Sequence, residues 1–186
     1  SSFGNLVADA LRSELGAGIG FVSGGFLRSN RVHAAKTTLT VGMLQADMPI
    51  QGRAVLTQIK VRHLVTALEE QLAAYPVLSG SYPHVSGVRV VYDCSLKQIT
   101  AFTGEEGRPM DPDVAVTVAT TQFIAGGGDG CGAWCHGTVL ATHDVVAMEV
   151  ARFVEKRRIL SYPASEGRIR LLHRFVADAS LGQDPQ

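Results

Sequence analysis

Thr121-Gln-Phe-Ile-Ala-Gly-Gly-Gly-Asp-Gly130 comes closely after Val114-Ala-Val-Thr-Val118, and the junction between the two decides how the rest of the chain is read. Val114–Val118 is an apolar, β-branched run of the kind that forms a buried strand. The segment beyond it is almost bare backbone: three consecutive glycines between an aromatic, Phe123, and a carboxylate, Asp129. Glycine takes positive φ freely and costs entropy to order, so three in a row suit close approach better than stability. A tight turn between two core elements accounts for the same letters more plainly.

Working outward, Asn5 to Leu15 carries apolar residues at helical spacing, with Gly16 placed to end the helix. Ile19 to Val22 reads as a short buried strand, and Thr40 can cap a short helix through Leu44 that stops near Pro49. Ala54 to Val61 reads as a strand. Val61 to Leu72 has one apolar and one acidic face, which predicts an amphipathic helix. Val85 to Val91 and Gln98 to Phe102 read as paired strands across Asp93-Cys-Ser-Leu-Lys97, and 104–113 as a turn-rich connection. Asp144 is expected to open a helix to about Arg158, whose basic end suits the helix dipole. Helices and strands alternate irregularly, so the fold class is α+β, or mixed α/β. Residues 1–175 read as one domain and 176–186 as a polar, frayed tail.

The chain has 186 residues, 46% of them hydrophobic, enough for one sizeable core. Seventeen basic residues balance seventeen acidic ones, and no basic run exceeds Lys156-Arg-Arg158, which disfavours a nucleic-acid polymer as partner. No stretch approaches the roughly 20 apolar residues of a transmembrane helix. The sequence begins Ser1-Ser-Phe3, without initiator Met or signal peptide, and so reads as cut from something longer. Cys94, Cys131 and Cys135 make no disulfide framework. Cys131-Gly-Ala-Trp-Cys135-His136 suggests a metal site, but a second ligand pair is missing, and a buried thiol or a local disulfide are simpler readings.

Three loops combine small residues with functional groups: Ser23–Arg28, Pro49–Arg53 and Phe123–Asp129. Arg28 can hold an anion by charge-assisted hydrogen bonds. Phe123 can stack on a flat ring, and Asp129 can accept the two hydroxyls of a ribose diol. An exposed Arg, a core Phe and a turn Asp are the plainer alternatives. The chain has no G-x-x-x-x-G-K-[ST], no H-E-x-x-H and no G-x-S-x-G. From its residues it reads as a binder rather than a complete catalyst.

Six blocks then coincide in order. Gly4-Asn-Leu-Val-Ala-Asp-Ala10 resembles the G-N-L-x-x-D-A opening of the C-terminal domain of the 5′-nucleotidase and UDP-sugar hydrolase family. Ser23-Gly-Gly-Phe-Leu-Arg28 resembles its N-G-G-G-I-R, and Met48-Pro-Ile-Gln-Gly52 its L-P-F-G-N/G. Val85-Ser-Gly-Val-Arg-Val-Val-Tyr-Asp93 is similar to V-S-G-[LI]-x-V-x-Y-D, and Phe123–Gly130 to F-L-A-x-G-G-D-G. Tyr162-Pro-Ala-Ser-Glu-Gly-Arg-Ile169 resembles the closing Y-P and G-R-I.

The resemblance implies a substrate-binding domain, not catalytic by itself, that partners an N-terminal metallophosphatase domain carrying a divalent metal pair. No cofactor or metal is expected in this chain, and export is implied by the family alone. Phe123 would be one of two aromatics that sandwich a nucleoside base, Asp129 the acid on the ribose, and Arg28 a contact to polar or phosphate groups. Gly25 and Gly128 would lend backbone to the pocket. Ser23 stands where the family has an Asn that reads the base, and Ile50 where the second stacking Phe would be. The alternative is a non-catalytic interaction module that kept the fold and lost the nucleotide pocket.

Overall fold

In the computed structural model, which describes residues 1–28, 31–77, 79–163 and 165–173, eight strands form two sheets. The strands are β1 (Ile19–Ser23), β2 (Arg53–Lys60), β3 (Pro83–Ser86), β4 (Val88–Asp93), β5 (Gln98–Gly104), β6 (Ala115–Thr121), β7 (Thr138–Val145) and β8 (Ile169–Leu172). The helices are α1 (Ser2–Glu14), α2 (Val41–Asp47), α3 (Val61–Leu72), the single turn α4 (Gln122–Ala125) and α5 (Val146–Arg157). The large sheet runs β3-β1-β6-β2-β7 and the small one β5-β4-β8. The fold is α+β with mixed sheets, as expected.

The large sheet is covered on both faces. Leu6, Val7 and Leu11 of α1, Leu44 of α2 and Val150 and Phe153 of α5 pack with Val22, Ala54 and Ala119 on one side. Leu64, Ala67 and Leu68 of α3, with Trp134 and the small-sheet residues Val88, Val90 and Phe102, pack with Ile19, Phe21 and Val118 on the other. Every residue of β1 is therefore buried, and the strand shows no polar alternation.

Two sequence expectations are corrected, and two strands were missed. Val85–Val91 is not one strand: Gly87, at φ +86°, turns the chain from β3 in the large sheet to β4 in the small one. Asp144 does not open the last helix but lies in β7, and α5 begins at Val146. β7 and β8 were not foreseen. β7 is an edge strand exposed along most of its first half, so it lacks in–out periodicity, and β8 has only four residues. Thr40 does cap α2, its hydroxyl accepting from the Met43 N–H, and α3 spans Val61–Leu72 as read. The expected tail lies outside the described residues.

The first and last family-like blocks form a single polar knot. The Asp9 carboxylate accepts the Tyr162 hydroxyl at 2.8 Å and the Arg168 guanidinium at 2.6 and 2.9 Å. Arg168 also bonds Glu166 at 2.6 Å and the Val85 carbonyl at 3.0 Å, and Glu166 accepts from Asn5 at 2.6 Å. Burial pushes Asp9 up, but its hydrogen bonds to Arg168, Ser86 and Tyr162 outweigh this and hold it below the usual carboxylate range. The knot fastens the segment leading into β8 to α1 and β3. Nearby, the His84 ring lies against Gly4, where a Cβ would collide with it, and burial lowers His84 to about 4.

Candidate functional site

Strand direction brings the three small-residue loops to one end of the large sheet. β1 and β6 are parallel, so Ser23 and Thr121 finish at the same end. β2 is antiparallel to β6 with Ala54 opposite Thr121, so the loop entering β2 arrives there too. Because β6 lies between β1 and β2, the strand leading into the Phe123 loop ends between the strand leading into the Arg28 loop and the strand entered from the Ile50 loop. Ligands of sheet proteins commonly sit at such strand ends, where connections diverge to opposite faces.

The Phe123 loop begins with Thr121, whose hydroxyl accepts from the Ile124 N–H at 3.2 Å and caps α4. Ile124 points into the core while Phe123, on the same turn, is 61% exposed. Its ring occupies the space where a Gly128 side chain would be, so Gly128 is bare because Phe123 lies across it. Gly127 adopts φ +82°, and the next turn presents Asp129 at φ 58°, exposed beside the ring. Asp tolerates this left-handed conformation better than most residues. The bare backbone thus serves to seat an exposed aromatic next to an exposed carboxylate.

The Arg28 loop leaves β1 through a 3-10 turn, Gly24–Phe26. Its glycines run against the segment entering β3: the N–H of Gly25 donates to the Gly80 carbonyl at 2.6 Å, and that of Gly24 to Tyr82 at 2.7 Å. Gly25 is therefore backbone packed on backbone. Phe26 is buried beneath the Ile50 loop, its ring against Gly52. Arg28 is exposed, with its N–H donating to the Asp47 carbonyl at 2.9 Å. Ile50 is 42% exposed. Ser23 is only 5% exposed, which leaves its hydroxyl little surface for a ligand.

The cysteine cluster has a different character. Cys131 is buried, its thiol donating to the Ala67 carbonyl at 3.5 Å, and burial, with Glu70 and Asp129 nearby, pushes its pKa up to about 12. A thiol so hard to deprotonate is a poor nucleophile. Cys135 is exposed, neither cysteine is in a disulfide, and the His136 ring stacks on His63 at 4.2 Å. Among the described residues no group of three or more His, Cys, Asp or Glu is placed to hold a metal ion. None of their helices is long and apolar enough to cross a membrane.

A family model described as the 5′-nucleotidase C-terminal domain matches residues 1–135. The chain belongs to that family. The 5′-nucleotidase of Mus musculus is 29% identical over 162 residues, covering 80% of this chain and 28% of the relative. That of Homo sapiens is 30% identical with the same coverage. The structure of a 5′-nucleotidase precursor from Thermus thermophilus superposes with a TM-score of 0.81 at 25% identity, over 94% of this chain and 36% of that one. This 5′-nucleotidase C-terminal domain thus spans 28% of the length of these two relatives.

Two features of the domain were missed from sequence. Asp9 and Arg168 lie 159 positions apart, and only a fold brings them together. The burial of Ser23 comes from its place at the end of a fully covered strand, which its neighbours in sequence do not reveal.

Proposed function

We propose that this domain recognises the nucleoside part of a phosphate-ester substrate, and that hydrolysis is carried out by metals held in a separate metallophosphatase domain. The observation that carries the reading is Phe123, a 61% exposed aromatic seated on Gly128 beside Asp129 at a strand end. A Phe that leaves most of its surface in water adds little to the core, whereas stacking on a base is worth about 1–3 kcal/mol. In this reading Phe123 forms one wall for the base and Asp129 accepts from the ribose hydroxyls. Arg28, across the sheet end, neutralises phosphate. Gly25 and Gly128 keep the backbone low, and Ser23 supports the Arg28 loop from beneath. The residues described here are not placed to hold the metal pair, so no chemical step is assigned to them.

Ile50 favours a second reading, an interaction module whose nucleotide pocket has been lost, because an aliphatic side chain stands where the resemblance would put the second stacking aromatic. The two readings separate on Ile50→Phe. If the site is a nucleoside pocket with one weakened wall, a second aromatic should tighten nucleoside monophosphate binding by about 1–3 kcal/mol, roughly 5- to 150-fold in Kd, measured by calorimetry. No gain from Ile50→Phe, together with no binding by the unaltered domain, would favour the module.

A further inference from the structure

We propose that His33 is a positioning residue for this pocket: its bond to Asp47 clasps the 31–40 segment to the end of α2 and thereby sets the Arg28 and Ile50 loops. The inference deepens the nucleoside reading and rests on it for its functional consequence.

Asp47, the last residue of α2, has no exposed surface. Its Oδ2 lies 2.6 Å from His33 Nε2, while Oδ1 is buried without a hydrogen-bond partner among the described residues. A buried carboxylate is unfavourable unless it is well paired, and an apolar side chain would fill the same space at less cost. One that has a single side-chain partner among the described residues calls for a reason other than packing. The segment it holds is otherwise open: in 31–40 every residue except His33 and Leu39 is exposed, Val32 to 94%. His33 is further braced by Phe3, the rings 5.7 Å apart.

Two connections lead from Asp47 to the site. Its carbonyl accepts the N–H of Arg28 at 2.9 Å, fixing the end of that loop. Its chain continues through fully buried Met48 into Pro49 and Ile50. Asp47 is thus the point where the Arg28 and Ile50 loops meet, and His33 is its side-chain anchor.

Amide hydrogen exchange of the labelled chain tests the clasp without any ligand. His33→Ala should speed exchange at the Arg28 amide about tenfold or more, and His33→Gln, whose amide can still donate to Asp47, should restore protection. The double variant His33→Ala/Asp47→Val removes the buried carboxylate with its partner, so it keeps a folded core, and it should show the same fast exchange. Arg28 exchange unchanged in both His33→Ala and the double variant would overturn the clasp. In parallel calorimetry with adenosine and uridine monophosphates, His33→Ala should bind about tenfold more weakly than the unaltered domain, with His33→Gln recovering most of the loss. Equal affinity would also overturn the proposal. A domain that binds neither nucleotide refutes the nucleoside reading instead, and the clasp is then decided by the exchange data.

Discussion

Gly87→Ala is expected to destabilise the domain by about 2–5 kcal/mol, seen as a large fall in the urea midpoint with little change in slope. Two costs add. The position adopts φ +86°, a left-handed conformation that costs an L-residue roughly 1–2 kcal/mol. An added Cβ would also be driven into the Gly18 carbonyl oxygen, with the Arg12 side chain close behind. Backbone cannot swing aside as a side chain can, so overpacking there should cost a further 1–3 kcal/mol or about that. Gly87 is the point at which the chain passes from one sheet to the other, so the strain falls on β3 and β4 together. A loss below about 1 kcal/mol would mean that the sheet switch is not held in this way.

Arg168→Ala should cost about 2–4 kcal/mol, because it leaves Asp9 and Glu166 without their cation and the Val85 carbonyl without its donor. The partial exposure of the ion pair keeps the figure below that of a fully buried one. Its pH dependence distinguishes it from a simple packing loss. The Asp9 pKa is depressed in the folded state, so the stability it contributes is fully present above its ordinary value of 3.8 and is lost as pH falls through the folded value. The unaltered domain should therefore lose stability more steeply than Arg168→Ala as pH is lowered from about 4 towards 2. Parallel slopes for the two proteins would show that Arg168 does not hold Asp9 ionised. β8, whose approach the knot fastens, should lose amide protection first in the variant.

Local features of the chain were legible from the sequence, and long-range ones only where a family resemblance carried them. The helical spacing from Val61 to Leu72 and the Thr40 cap were read directly, because periodicity and capping are local signals. The Phe123–Asp129 loop was read as a site from bare backbone beside two functional groups, and the fold puts it at the end of β6, the strand between β1 and β2. Gly87 was visible as a glycine inside a strand-like run, but its meaning depends on Gly18, which only the fold brings near. β7 escaped because an exposed edge strand need not alternate. Asp47 passed for one of several scattered acids, since neither its full burial nor its His33 partner is written in its neighbours.

The central claim is that Phe123 is a stacking platform for a nucleoside base. Calorimetric titration of adenosine and uridine monophosphates into the domain, unaltered and as Phe123→Ala, tests it most directly. Phe123 is exposed and makes little of the core, so the variant should fold with unchanged stability. Loss of one stacking face should weaken binding by about 1–3 kcal/mol, roughly 5- to 150-fold in Kd. Equal affinities for the unaltered domain and Phe123→Ala would contradict the account.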